Sequence, residues 1–210
     1  MISTIPNKGS TLFVSSHEPL AINFGSILKK MSENEFFKFC ERNKDFRIER
    51  TKAGDVIVMP PAYSETGNKN FNLAGEFYVW LKRDQTGIGF DSSTGFTLPN
   101  GATRSPDVSW IRLERWNNLA PEKRAKFAHI APDFVIELRS ATDRLKDLQT
   151  KMEEYVENGV QLGWLIDTQT RRVYVYQPNE KVQILENPNE ISGDPLLKGF
   201  VLNLNEIWAS

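Results

Sequence analysis

The stretch from Pro132 to Gly159, PDFVIELRSATDRLKDLQTKMEEYVENG, decides how the chain is read. Phe134, Val135 and Ile136 run into Glu137 with no polar break, then Leu138 and Arg139 follow before a polar turn. A short apolar run bounded by turn residues predicts a buried strand. An ionised carboxylate among such neighbours is costly unless a cation, a metal or hydrogen bonds compensate it. Glu137 is therefore the first candidate for a functional acid.

A helix follows, predicted from about Asp143 to Asn158, with Leu145, Leu148, Met152, Tyr155 and Val156 as its apolar stripe. Gly159 stands where a left-handed residue ends a helix. At about 100° per residue Lys151 lies about 40° from Tyr155, on the edge of the stripe, from where an ammonium can reach back to the strand ends. Tyr155 reads as core by its spacing, and Gln149 lies on the other flank.

Two Pro-Asp pairs offer a second acid, Pro106-Asp107 and Pro132-Asp133. Asp133 and Glu137 on one extended strand stand about 13 Å apart at about 3.3 Å per residue, too far to share an ion. Asp107 opens a separate strand pattern, Val108 to Ile111. If that strand neighbours the one bearing Glu137, the two carboxylates converge across a spacing of about 4.8 Å. Paired carboxylates are hard oxygen donors of the kind magnesium takes. Arg139 shares a face with Glu137 by the period of two and offers a guanidinium fork for phosphate, although its high pKa disqualifies it as a proton carrier.

Outward from this centre, Ser32-Glu33-Asn34-Glu35 matches a capping box and predicts a helix to about Arg42, which explains Glu35 without function. Phe46 to Arg50 and Asp55 to Met59 predict a hairpin around Lys52-Ala53-Gly54, and Leu73, Phe77, Trp80 and Leu81 predict a helix from Ser64 to Lys82. Strands are predicted at Ile88 to Phe90 and Phe96 to Leu98, and a solvated, mobile loop at Glu114 to Lys126. Leu162 to Asp167 and Arg172 to Gln177 read as a second hairpin. Val182 to Leu185, Phe200 to Leu204 and Trp208 complete the sheet or pack over its end. Residues 1–31 carry scattered Gly, Pro and Ser without a period and read as an arm packed on the body, with 32–210 forming one domain.

Composition narrows the function classes. With 40% hydrophobic and 25% charged residues and a net charge of −1, the 210-residue chain reads as an ordinary globular protein with no basic excess, so DNA affinity has to come from a local patch. Lys123, Arg124, Lys126, Arg144 and Lys146 are candidates for such contacts, but they alternate with acids. Trp110 and Trp116 are the tryptophans expected near the site, where a base could stack. A single cysteine, Cys40, and two separated histidines, His17 and His129, make a zinc site improbable. No apolar run is long enough to span a bilayer and no secretory core opens the chain, so no membrane partner and a cytoplasmic location are expected.

The order of a post-proline acid at Asp107, a Glu137-x-basic tripeptide and a helix carrying Gln149, Lys151 and Tyr155 resembles the PD-(D/E)XK nuclease superfamily. SPDVSWI, the Pro132 stretch extended to GVQLGWLID, and RVYVYQP resemble more closely the Uma-two family of restriction endonucleases, over roughly Ser32 to Trp208. The resemblance implies an α/β (α+β), restriction-endonuclease-like fold, a central mixed β-sheet flanked by helices. It implies Mg2+ or Mn2+ held by Asp107, Glu137 and the carbonyl of Leu138, with hydrolysis of DNA phosphodiester bonds by a homodimer. The motif lysine position holds Arg139, a departure from the pattern. In relatives whose lysine has migrated the next helix supplies it, which matches Lys151, and an N-terminal acid is often used, for which Glu49 is the position expected. The alternative is a catalytically inactive nuclease-fold module that binds nucleic acid or protein. A glycosidase acid pair is the weakest reading, because no cleft rich in aromatic platforms can be identified.

Overall fold

A computed structural model describes residues 31–209 together with the backbone of residues 20–22. The N-terminal arm expected over 1–31 otherwise lies outside the described residues. In chain order the elements are β1 (Leu20–Ile22), α1 (Glu33–Arg42), β2 (Arg47–Arg50), β3 (Val56–Met59), α2 (Ser64–Asp84), β4 (Gly87–Asp91), β5 (Phe96–Thr97), β6 (Thr103–Arg104) and β7 (Val108–Arg112). Then come α3 (Leu113–Asn117), α4 (Pro121–Arg124), β8 (Phe134–Arg139), α5 (Leu145–Glu157), β9 (Leu162–Asp167), β10 (Arg172–Tyr176), β11 (Gln183–Glu186), β12 (Glu190–Ser192), β13 (Val201–Asn203) and α6 (Asn205–Trp208).

The main sheet has the order β11-β10-β9-β8-β7-β4. Its β8–β9 pair is parallel and the other pairs are antiparallel, so the expected mixed sheet is present. Alternation along β8 divides the packing. Phe134, Ile136 and Leu138 face one side, where Leu73 and Phe77 of α2 and the C-terminal Leu202, Leu204 and Ile207 close a core. Val135 faces the other side, against Met152 and Tyr155 of α5 and Leu165 of β9. The packing between β9 and α5 is close: a Cβ at Gly163 would stand 2.5 Å from the terminal methyl of Met152, which would have to shift.

A second sheet, β1-β3-β2-β6-β5, packs beside the first. The capping box at its helix is formed: Ser32 Oγ accepts from Glu35 N at 3.3 Å, and Ser32 N donates to Glu35 Oε2 at 2.8 Å. Ile48 joins Phe36 and Val56 in a small core. By the period of two, Arg47 and Glu49 point to the opposite face of β2, towards the main sheet.

Several elements depart from their predicted form. The segment expected as a mobile loop contains α3 and α4, with Trp116 seated against Phe90 at 5.1 Å. Helix α5 begins at Leu145 rather than Asp143 because the Asp143 carboxylate caps the preceding turn, accepting from Ser140 N at 2.8 Å. Phe200 to Leu204 does not extend the main sheet. There β13 pairs with β12, and Phe200 stacks on Trp164 at 5.7 Å, so this segment packs on the α2 face of the main sheet rather than over its end. Among the described residues no helix is long and apolar enough to cross a membrane.

Candidate active site

Strand β7 runs antiparallel to β8 with Val108 opposite Ile136, which sets Asp107 beside Glu137 one position further along. The ladder continues through Asp107 N, which donates to Ile136 O at 3.0 Å. The Asp107 carboxylate turns back to the neighbouring strand and accepts from Leu138 N at 2.8 Å. Asp107, Glu137, Leu138 and Lys151 line one cleft, together with Arg47 and the start of α2. The adjacency on which the sequence argument depended is therefore present.

Lys151 lies one helical turn before Tyr155, and both reach Glu137. Lys151 Nζ stands 2.7 Å from Glu137 Oε1, and Tyr155 donates its hydroxyl to the same oxygen at 2.9 Å. Lys151 also contacts Glu49 Oε1 at 2.9 Å, so a single ammonium bridges an acid from each sheet. Glu49 further accepts from Arg104 at 3.1 Å and from Ser105 N at 3.0 Å. Arg104 continues the chain to Glu154 at 2.6 Å, while Arg47 ties Asp107 at 3.2 Å and the Ser105 carbonyl.

The electrostatics of the two buried glutamates differ in sign. Burial pushes Glu49 up, but Lys151, Arg104 and Arg47 together outweigh it and hold its carboxyl at about 2. For Glu137 burial is again the largest influence. Lys151 pulls it down, yet Asp107 and Glu49 push it up and leave it at about 7. Burial also opposes charge on Lys151, but Glu137 and Glu49 more than offset it and keep the ammonium protonated. The network joins four acids, Asp107, Glu137, Glu49 and Glu154, to three cations, Arg47, Arg104 and Lys151. Fully ionised it carries one negative charge in excess, which a proton or a bound cation can neutralise.

Among the described residues no group of three or more His, Cys, Asp and Glu side chains is placed to hold a metal ion. Two carboxylates on one cleft still fit magnesium, which keeps several waters and takes one or two protein carboxylates with substrate phosphate. The excess negative charge, and the upward push of Asp107 on Glu137, are the electrostatic counterpart of that fit.

Arg139 is not brought into this cluster. Its guanidinium pairs with the buried Asp167 at 3.0 Å and donates to the Asp143 carbonyl at 3.2 Å, following the register that sets Arg139 opposite Asp167. Asp133 holds the far end of the strand, accepting from Arg112 N at 2.9 Å and pairing with Arg115 at 2.9 Å. Trp110 is buried on the α2 side of the sheet, so neither it nor Trp116 lines the cleft. Of the basic candidates, Lys126 contacts Asn34 at 2.6 Å and Arg124 lies over Trp116, whereas Arg144 lines the groove continuous with Glu49 and Lys151.

Sequence reasoning missed Arg47, Arg104 and Glu154. The first had a usable signal, since Arg47 and Glu49 share a face of a four-residue strand. Arg104 had none, because β6 is only two residues long.

A mixed sheet flanked by helices, with Asp107 and Glu137 on neighbouring strands, has the form expected of a restriction-endonuclease-like fold. The Uma-two family profile, described as "Putative restriction endonuclease", matches residues 33–205, and the chain belongs to that family. Among solved structures, a protein from Anabaena variabilis described as a "putative nuclease belonging to DUF820" shares the fold. Its TM-score is 0.64 at 20% identity, with 77% of this chain and 89% of that one covered. No curated protein matches the chain.

Proposed function

We propose that the protein is a divalent-metal-dependent endonuclease acting on DNA. The observation that carries this reading is Lys151 bridging Glu137 and Glu49 in the cleft that Asp107 also lines. Family membership and the nuclease described for the Anabaena structure support the substrate class.

Asp107, Glu137 and the Leu138 carbonyl would hold Mg2+ or Mn2+. When bound, the ion supplies a lowered pKa for a coordinated water and neutralises charge on the phosphate. The chain's own groups do the remainder. Glu49 and Glu137 hold Lys151 Nζ in place, and its protonated ammonium stabilises negative charge developing on the scissile phosphate. Tyr155 fixes the Glu137 carboxylate through its hydroxyl. Arg104 and Glu154 hold Glu49, the acid expected near the N-terminus. With a divalent ion bound the network's balance becomes one positive, which a single phosphodiester charge neutralises. Lys151 thus takes the part that the motif position, Arg139, does not supply, since Arg139 is committed to Asp167. Cutting both strands would call for two such clefts, hence a symmetric homodimer.

Supercoiled plasmid incubated with Mg2+ or Mn2+ tests the reading. The parent should nick or linearise it, and Glu137→Ala and Lys151→Ala should not. Cutting that survives Glu137→Ala overturns the proposal, and cation binding without cutting by the parent favours the inactive-module alternative.

A further inference from the structure

We infer that Arg47 is a stand-in for the divalent cation at Asp107, and that binding of the ion frees its guanidinium to take the phosphate; this rests on the metal-dependent reading above. The three cations of the network are not held alike. Arg104 bridges two buried acids at 3.1 and 2.6 Å, and Lys151 bridges two at 2.9 and 2.7 Å. Arg47 touches one carboxylate, through Nη1 alone, at 3.2 Å.

That contact is a poor use of an arginine. Guanidinium binds carboxylate best as a fork on both oxygens. Here the contact is to Oδ1 alone, while Asp107 Oδ2 accepts from Leu138 N at 2.8 Å. Nη2 settles for the Ser105 carbonyl, and Nε is buried with no hydrogen-bond partner. The side chain stays 29% exposed and lines the cleft with Asp107, Glu137 and Lys151. Arg47 is thus the least committed positive charge in the network, placed on the acid a metal would take, with donors left unused.

A small hard cation at Asp107 and Glu137 makes the guanidinium redundant there and repels it. Released, it stays on β2 facing the cleft, with planar donors suited to phosphate oxygens beside Lys151. Loss of Arg47 should therefore improve ion binding and impair cutting, a combination that a merely structural brace does not give.

Mn2+ binding measured by calorimetry on the full chain, for the parent, Arg47→Gln and Arg47→Lys, tests this. Arg47→Gln should bind Mn2+ about tenfold tighter, since a charge-assisted contact no longer competes, while its cutting rate falls. Arg47→Lys should bind like the parent and cut slowly. Should Arg47→Gln not fold, tight parent-like binding with slow cutting by Arg47→Lys carries the release step, and full cutting by it overturns that step. Equal or weaker binding by Arg47→Gln, with the parent binding normally, overturns the stand-in role alone. Absence of Mn2+ binding in both overturns the metal reading as well.

Discussion

Replacing Glu137 by glutamine should make the metal-free protein more stable at pH 8, although it removes a contact with Lys151. The carboxyl is held at about 7 against an ordinary 4.5. Below pH 4.5 folded and unfolded states both carry the proton, and between 4.5 and about 7 only the folded state does. Stability therefore falls as pH rises through that window, and the ionised carboxylate costs the folded state about 3 kcal/mol above it. Glutamine escapes this cost, so Glu137→Gln should melt about 6–12 °C above the parent at pH 8, by the usual scaling for a chain of this size. At pH 4.5 the two should nearly coincide. Thermal melts in a chelator from pH 4.5 to 8.5 provide the assay. A variant that melts below the parent at pH 8, or a parent whose stability does not fall between pH 5 and 7, refutes the reasoning.

Glu49 contributes with the opposite sign, since a carboxyl held at about 2 stabilises the fold above the ordinary 4.5 and loses that contribution as pH drops towards 2. Glu49→Gln should lose about 3 kcal/mol at pH 7 and little at pH 2, checked by denaturant titration at both. Asp107→Asn can still accept from Leu138 N. It should therefore fold, yet lose the rise in melting temperature that Mg2+ gives the parent, a rise worth about 2.7 kcal/mol at a hundredfold excess over Kd. Lys151→Met leaves two buried acids without their shared cation and should cost about 3–5 kcal/mol at pH 8 by urea unfolding, with part of the loss recovered at pH 5 as Glu137 takes a proton. Arg139→Gln should cost a similar amount by stranding Asp167, while leaving Mn2+ affinity at the parent value.

The sequence carried the centre of the fold and less of its frame. Strand β8 and helix α5 were legible because an unbroken apolar run and a five-residue stripe are strong periodic signals. The neighbourhood of Asp107 and Glu137 was left as a condition by the residues themselves and implied by the family resemblance, and the β7–β8 pairing meets it. The partners of Glu49 were hidden for physical reasons. Arg104 sits on a two-residue strand too short to show a period, and Glu154 on α5 is buried by its pairing with that same Arg104. The period of two placed Arg139 with Glu137 correctly as to face, but could not foresee Asp167 opposite it on β9, which draws the guanidinium away from the cleft.

The account depends on a divalent ion seated between β7 and β8. Crystals soaked in Mn2+ and measured for anomalous scattering test this most directly. The expected result is one strong peak within bonding distance of Asp107 and Glu137 carboxylate oxygens and the Leu138 carbonyl, with Arg47 drawn off Asp107. Saturating Mn2+ that leaves this cleft without a peak, or that places the ion elsewhere, contradicts it.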